Sequence, residues 1–201
     1  MRSRFLLSAT LILSFAGACA SRPAPIADHH KPKITDQDEA RAAWRKKLAA
    51  RRQDDIQRLH DYWVAGQFPV NRDADGMLNV FVDDQGHLCA VANLLKLSGQ
   101  DTLVAQTAED QNFIVLRDVH DGPLMGWMLT SGLTQEEIAL IQEPYEPYQP
   151  DPLAQQQEIE RLQRHFKMVE RQLREDSDQS LDVALDRLAP RLAAGDLPSD
   201  A

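Results

Sequence analysis

Apolar positions along the chain fall into three regimes. Phe5 to Phe15 form one short, predominantly apolar run. Residues 20 to 35, ASRPAPIADHHKPKIT, have no periodicity, and helical spacing dominates from Asp36 onward. Between Asp36 and Gly66, Trp44, Leu48, Ile56, Leu59, Tyr62 and Trp63 recur near i, i+4, i+7 with no internal Pro or Gly, which predicts one long amphipathic helix. Gly66 ends it, and Phe68-Pro69-Val70-Asn71 leads into a loop. Val80-Phe81-Val82 and His87-Leu88-Cys89 flank Asp83-Asp84-Gln85-Gly86, the pattern of a β-hairpin.

Ala90 to Leu97 reads as a short buried helix, Asp101 to about Asp110 as a second, and Phe113-Ile114-Val115-Leu116 as a short strand. Asp121-Gly122-Pro123 opens another helix that Gly132 closes. The next start is the most fully specified: Thr134 with Glu137 makes a capping box, and Leu133 with Ile138 the matching hydrophobic staple. A Pro-rich stretch, residues 144–152, is expected to be a semi-rigid extended hinge. Beyond it Ile159, Leu162, Phe166, Val169 and Leu173 form an a/d-type seam, and Leu181, Leu185, Leu188 and Leu192 repeat the spacing after Asp176-Ser177-Asp178. Such a stripe either binds a partner or packs back on the domain, because apolarity does not name what covers it.

Together these elements predict an α+β fold, predominantly α-helical, with short helices around one small hairpin or sheet and a C-terminal helical extension. The expected organisation is a signal peptide at 1–18, a lipidated cysteine with a disordered tether at 19–35, a globular domain at 36–143, the hinge at 144–152 and the extension at 153–195.

The N-terminus supplies the address. Arg2 and Arg4 precede the apolar run, which is too short to span a bilayer comfortably, and small residues follow, the layout of a secretory signal. Phe15-Ala16-Gly17-Ala18-Cys19 resembles a bacterial lipobox, in which cleavage precedes a cysteine whose thiol carries diacylglycerol. Ala16 stands where such boxes usually have Leu, and plain secretory cleavage after Ala18 or Ala20 is the alternative. Ala20 after the cysteine resembles an outer-membrane sorting signal, so the expected location is the outer membrane facing the periplasm, with a soluble periplasmic or secreted product as the other outcome.

Charge narrows the partners. The 201-residue chain carries 22 Lys+Arg against 31 Asp+Glu, a formal charge of −9. Losing Arg2 and Arg4 with the signal leaves 20 against 31, or −11. Such acidity argues against nucleic acid and against attraction to anionic lipid, leaving an N-terminal lipid as the membrane link. The predicted first helix runs against this trend, because Arg41, Arg45, Lys46, Lys47, Arg51, Arg52 and Arg58 give it a basic face that either meets phosphate headgroups or an acidic partner, or is simply solvated.

Candidate chemistry is sparse. Cys19 and Cys89 are the only cysteines, so acylation of Cys19 leaves Cys89 without an internal partner. Cys89 stands where strand gives way to helix, a position whose dipole lowers a thiol pKa. With His120 and Asp118 or Asp121 downstream it follows the order of a cysteine hydrolase. His87 is an equally available base, and a buried packing thiol is the competing reading. Asn71, Asp73 and Asp75, with Gly76 and Leu78, resemble the start of an EF-hand loop and make calcium the one cofactor to consider. Val82 occupies the place of the bidentate Glu, and an Asp-Gly turn explains the same residues. His29 and His30 lack further ligands at metal-site spacing. G-x-S-x-G, H-E-x-x-H and Gly-rich phosphate loops are absent from the sequence.

The segment from Tyr62 to Tyr145 resembles a group of poorly characterised secreted bacterial proteins, several of them predicted lipoproteins. The shared pattern is Phe68-Pro69-Val70-Asn71, then Phe81-Val82-Asp83 with Gly86 and Cys89-Ala90-Val91, then Ser98-Gly99, Asn112, Trp127, Ser131-Gly132-Leu133-Thr134 and Ile141-Gln142. The resemblance implies export and carries no activity, cofactor or catalytic residue. The reading that follows is a non-enzymatic envelope lipoprotein contacting other proteins through its basic N-terminal helix and its C-terminal helices. The rivals are a thiol hydrolase or transferase using Cys89 and His120, and a calcium-binding domain.

Overall fold

The computed structural model describes residues 34–194, so the signal, Cys19 and the tether up to residue 33 lie outside the described residues, and the first helix begins at Ile34, within the expected tether. Seven α-helices occur there: α1 (Ile34–Ala65), α2 (Ala90–Leu97), α3 (Asp101–Gln111), α4 (Gly122–Thr130), α5 (Gln135–Ile141), α6 (Pro152–Glu175) and α7 (Ser177–Ala194), with a 3₁₀ turn at Leu116–Asp118.

At 32 residues α1 is about 48 Å long, and it serves as the spine against which α6 and α7 lie. Its apolar face divides between two cores. Leu48 packs with Leu181, Ala184, Leu185 and Leu188 of α7. Ile56, Leu59 and Tyr62 enter the main core with α2, α4, α5 and α6. The seam on α6 is turned inward: Leu162, Phe166, Val169 and Leu173 are all buried. The helices after the hinge therefore complete the same core as the helices before it.

Between the two clusters lies Arg52, with no exposed surface. Its guanidinium donates to both oxygens of Glu137 at 2.8 and 2.7 Å, to the Gly132 carbonyl at 3.2 Å and to the Leu173 carbonyl at 2.7 Å. Glu137 completes the predicted capping box, accepting the Thr134 N–H at 2.8 Å, and also accepts the Ser180 hydroxyl at 2.7 Å. One ion pair thus ties α1, the α4–α5 corner, α5, α6 and α7. Gly132 is required at that corner for two reasons. Its φ is +84°, and a Cβ there would sit 2.1 Å from the Leu48 carbonyl oxygen.

The rest of the basic face of α1 is largely paired within the molecule. Arg41 bonds Asp186 at 2.7 Å, Arg45 bonds Asp178 at 3.2 Å, and Lys47 lies over the Trp44 ring. A charge stripe that reads as a partner surface is in large part the complement of acidic α7.

No named strand or sheet occurs among the described residues; the expected hairpin is reduced to a turn with one antiparallel bridge, Val82 with Leu88, and backbone bonds from the Asp83 N–H to the His87 carbonyl and from the Cys89 N–H to the Phe81 carbonyl. Side chains extend this short pairing. Asn112 accepts from the Phe81 N–H through its carbonyl and from the Val82 N–H through Oδ1, and donates to the Val82 carbonyl. The expected strand at 113–116 is likewise a turn held by amides. Gln142 bonds the Leu116 N–H and the Ile114 carbonyl, and Gln135 donates to the carbonyls of Leu116, Arg117 and Val119. Phe113 and Val115 consequently remain exposed.

Removing one partner of a buried ion pair costs about 3–5 kcal/mol. Arg52→Met or Glu137→Leu should therefore each lose about that much, and the double variant less than the sum, in urea unfolding. Gly132→Ala should be comparably severe. Additive losses for the pair would contradict a direct interaction.

Candidate functional site

The segment joining α1 to α2 is shaped by two polar side chains. Asn71, 1 % exposed, accepts the N–H groups of Asp73 and Ala74 on Oδ1 and donates to the carbonyls of Gly76 and Tyr145. Its amide is therefore fully engaged in holding an Asx-type turn, while Asp73 and Asp75 point to the exposed side of the loop. Among the described residues no cluster of three or more His, Cys, Asp or Glu side chains is placed to hold a metal ion.

Asp83 organises the next turn. One oxygen accepts the N–H groups of Gln85 and His87 at 2.9 and 2.8 Å; the other accepts from the Val70 N–H at 3.1 Å and meets His87 Nδ1 at 2.9 Å. Burial alone would raise its pKa, but the bonds from His87 and from these backbone donors outweigh it and hold the carboxyl below its ordinary value. The contact at Nδ1 fixes the orientation of the His87 ring and leaves Nε2 as the nitrogen on its far side.

His87 borders a cavity of about 280 Å³ whose walls include Phe68, Pro69, Tyr145, Pro147, Tyr148 and Ile159. The Pro-rich stretch forms one wall and is pinned rather than free. Tyr145 and Leu78 exchange backbone bonds at 2.9 and 3.1 Å, and the Tyr148 N–H reaches the Asn71 carbonyl at 2.7 Å. Arg161 of α6 holds Glu143, Glu158 and the Pro144 carbonyl. Tyr148, 40 % exposed, stands under the Arg72 guanidinium at 3.9 Å. Below lies Tyr62, whose hydroxyl donates to the Leu88 carbonyl at 3.0 Å; burial raises both its pKa and that of the adjoining Tyr145.

Cys89 is the N-cap of α2 as expected, yet it is buried, and its sulfur accepts the Ala92 N–H at 3.3 Å. Desolvation pushes its pKa up to about 12, overriding the opposing bonds from Ala92 and Val91. Asp118 and His120 lie on the exposed surface beside the 3₁₀ turn, and no hydrogen bond joins them to Cys89. The three residues do not form a hydrogen-bonded triad, and a thiol held protonated in the core is a packing and capping group.

No protein-family model, no curated protein and no solved structure matches the chain, so the functional reading rests on this geometry. Sequence spacing pointed to Cys89 and Asn71 but passed over Asp83 with His87 as a pair. The available signal was their i, i+4 placement across a Gly-containing turn. Tyr145 and Tyr148 were similarly hidden by the Pro residues around them.

Two outcomes follow. Alkylation at Cys89, read by peptide mass spectrometry in native buffer at pH 8, should proceed only through unfolding and should accelerate in urea; rapid native labelling would contradict burial. Because the Asp83 pKa is depressed, its stabilisation is present above the ordinary carboxylate pKa and is lost as pH falls through the lowered value. Asp83→Asn should cost about 3 kcal/mol at pH 7, given charge-assisted bonds of about 1.5–3 kcal/mol each, with the gap closing toward pH 2 in denaturant titrations. A gap independent of pH would count against the charge.

Proposed function

We propose that the chain is an exported envelope lipoprotein, anchored through Cys19 at the outer membrane and facing the periplasm. Its folded part acts as a non-enzymatic protein-interaction module. The N-terminal signal pattern, the acidic balance and the resemblance to secreted bacterial proteins support the address. No helix among the described residues is long and apolar enough to cross a membrane, so the lipid is the proposed anchor.

The contact surface proposed differs from the C-terminal seam, whose apolar residues are buried against α1 and the main core. The observation that carries the reading is the aromatic cavity at the His87–Asp83 pair. It has the composition of a recognition pocket: apolar walls, one oriented hydrogen-bonding group and a rim held by bonds made before any partner arrives. A volume of about 280 Å³ suits one large anchor side chain rather than a whole cofactor. The partner proposed is a protein segment that inserts an aromatic side chain carrying a donor, such as Tyr or Trp, toward His87 Nε2.

Two measurements separate address from contact. Intact-mass spectrometry of the membrane fraction should find a triacylated chain beginning at Cys19; an unmodified chain beginning after Ala18 or Ala20 would remove the anchor. A photo-crosslinking amino acid at position 148 should give a discrete protein adduct in cells, lost on Phe68→Ala or His87→Ala, whereas the same probe at exposed Gln106 should not. Equal adducts at both positions would overturn the pocket as the contact.

A further inference from the structure

We infer that a second cleft, between α1, α3 and α4, binds a phosphosugar-type ligand: a tetrahedral oxyanion carried on a compact hydroxyl-rich body. This cleft has a volume of about 670 Å³ and shares no lining residue with the aromatic cavity. Arg51, Arg58 and Arg191 border it, opposed by the carboxylates of Asp54 and Asp55.

Of these three, Arg58 is paired with Asp55, and Arg191 stands on α7 rather than on the α1 face. Arg41, Arg45 and Arg52 end on carboxylates of α5 and α7 and are committed to the fold. Arg51 donates from Nη1 to the Thr130 carbonyl at 3.0 Å. Arg191, in the last turn of α7, makes no hydrogen bond or ion pair among the described residues. Planar guanidinium groups of this kind pair with phosphate and sulfate through parallel N–H donors.

The backbone adds to this field. The cleft is bordered by the first turns of α3 and α4, whose N-cap residues, Gln100 and Asp121, make no side-chain capping bond. First-turn N–H groups without a capping acceptor favour an anion. Around the charge lie Ser98, Thr102 and Gln106, with Trp127 fixed by its indole N–H to the Ser98 hydroxyl at 3.0 Å. A bare oxyanion would leave most of this volume empty, whereas the surrounding hydroxyl and amide groups suit a sugar-like body.

Asp55 opposes the anion at neutral pH and ceases to do so in mild acid. It is 3 % exposed and receives Arg58 Nη1 at 2.8 Å. Burial raises its pKa to about 6, against the lowering effect of Arg58. The charged groups facing it are Arg51, Asp54 and Arg58 on α1 and, across the cleft, Arg191. Protonation removes a carboxylate and releases Arg58 toward a ligand, so anion binding should tighten between pH 7.5 and 5.5.

The test is calorimetry on the mature protein at constant ionic strength, with glucose 6-phosphate, glucose and sodium sulfate. Glucose 6-phosphate should bind, sulfate should compete, and glucose should not bind. Arg191→Gln, whose melting temperature should be unchanged, should weaken binding about tenfold, the loss expected for a charge-assisted contact. Sulfate keeps its charge across this pH range and should bind more tightly at pH 5.5 than at 7.5. Asp55→Asn should bind it at pH 7.5 as tightly as the wild type does at pH 5.5. The inference fails if millimolar glucose 6-phosphate gives no binding, or if Arg191→Gln binds as the wild type does. It also fails if phosphatidylglycerol vesicles capture the protein while glucose 6-phosphate does not, which would assign the charge to a lipid surface.

Discussion

Everything else in this fold is arranged around a fully buried arginine. Placing Arg52 and Glu137 out of water is expensive, and such a pair breaks even only when almost every donor and acceptor is satisfied. Here the two oxygens of Glu137 take both terminal nitrogens of Arg52, the Thr134 N–H and the Ser180 hydroxyl, while Arg52 also reaches two carbonyls; only its Nε lacks a partner. The contact is poor evidence for net stability and good evidence for specificity. Five separate segments must arrive in one register for the charges to be tolerable, so any alternative packing of these amphipathic helices would strand a buried charge. The same joint sits between the two apolar clusters and makes their orientation a single choice.

That arrangement explains which parts of the fold could be read from sequence. The long first helix, the buried short helix after Cys89 and the Thr134 capping box follow from periodicity and local chemistry, and each is present. Arg52 was invisible as a core residue because it sits within a run of surface-like arginines. Helical phase alone could have separated it from Arg51, since it lies four residues from Leu48 and from Ile56, both fully buried. The expected strands failed for a different reason. Strand propensity measures a fit to a pleated, half-buried surface, and here Asn112, Gln135 and Gln142 satisfy the same backbone groups from long range. An amide more than a dozen residues away leaves no trace in a local window.

At the aromatic cavity the local turn was legible and its consequence was not. Asp83-Asp84-Gln85-Gly86 announces a turn, but that Asp83 also orients His87 depends on four converging donors. Cys89 shows the opposite limit. Its place at a helix start was read correctly, and the inference to a reactive thiolate weighed the dipole without the burial. A helix end contributes a modest field, whereas complete desolvation of a thiolate in an apolar core moves the pKa by units, and the second effect wins.

The two clefts differ in the way their physics requires. The aromatic cavity is lined by a loop and a Pro-rich segment immobilised by backbone bridges and by Arg161, so a partner meets a surface whose ordering entropy is already paid. The arginine cleft is built on helices, and its flexible parts are side chains whose charge Asp55 modulates. Both have a footing on α1, with Gly66 just past its end at the first and Arg51, Asp55 and Arg58 at the second. A straight helix anchored at its middle by Arg52 is stiff over this distance. Each site is therefore held in place by the buried ion pair without either needing to touch it.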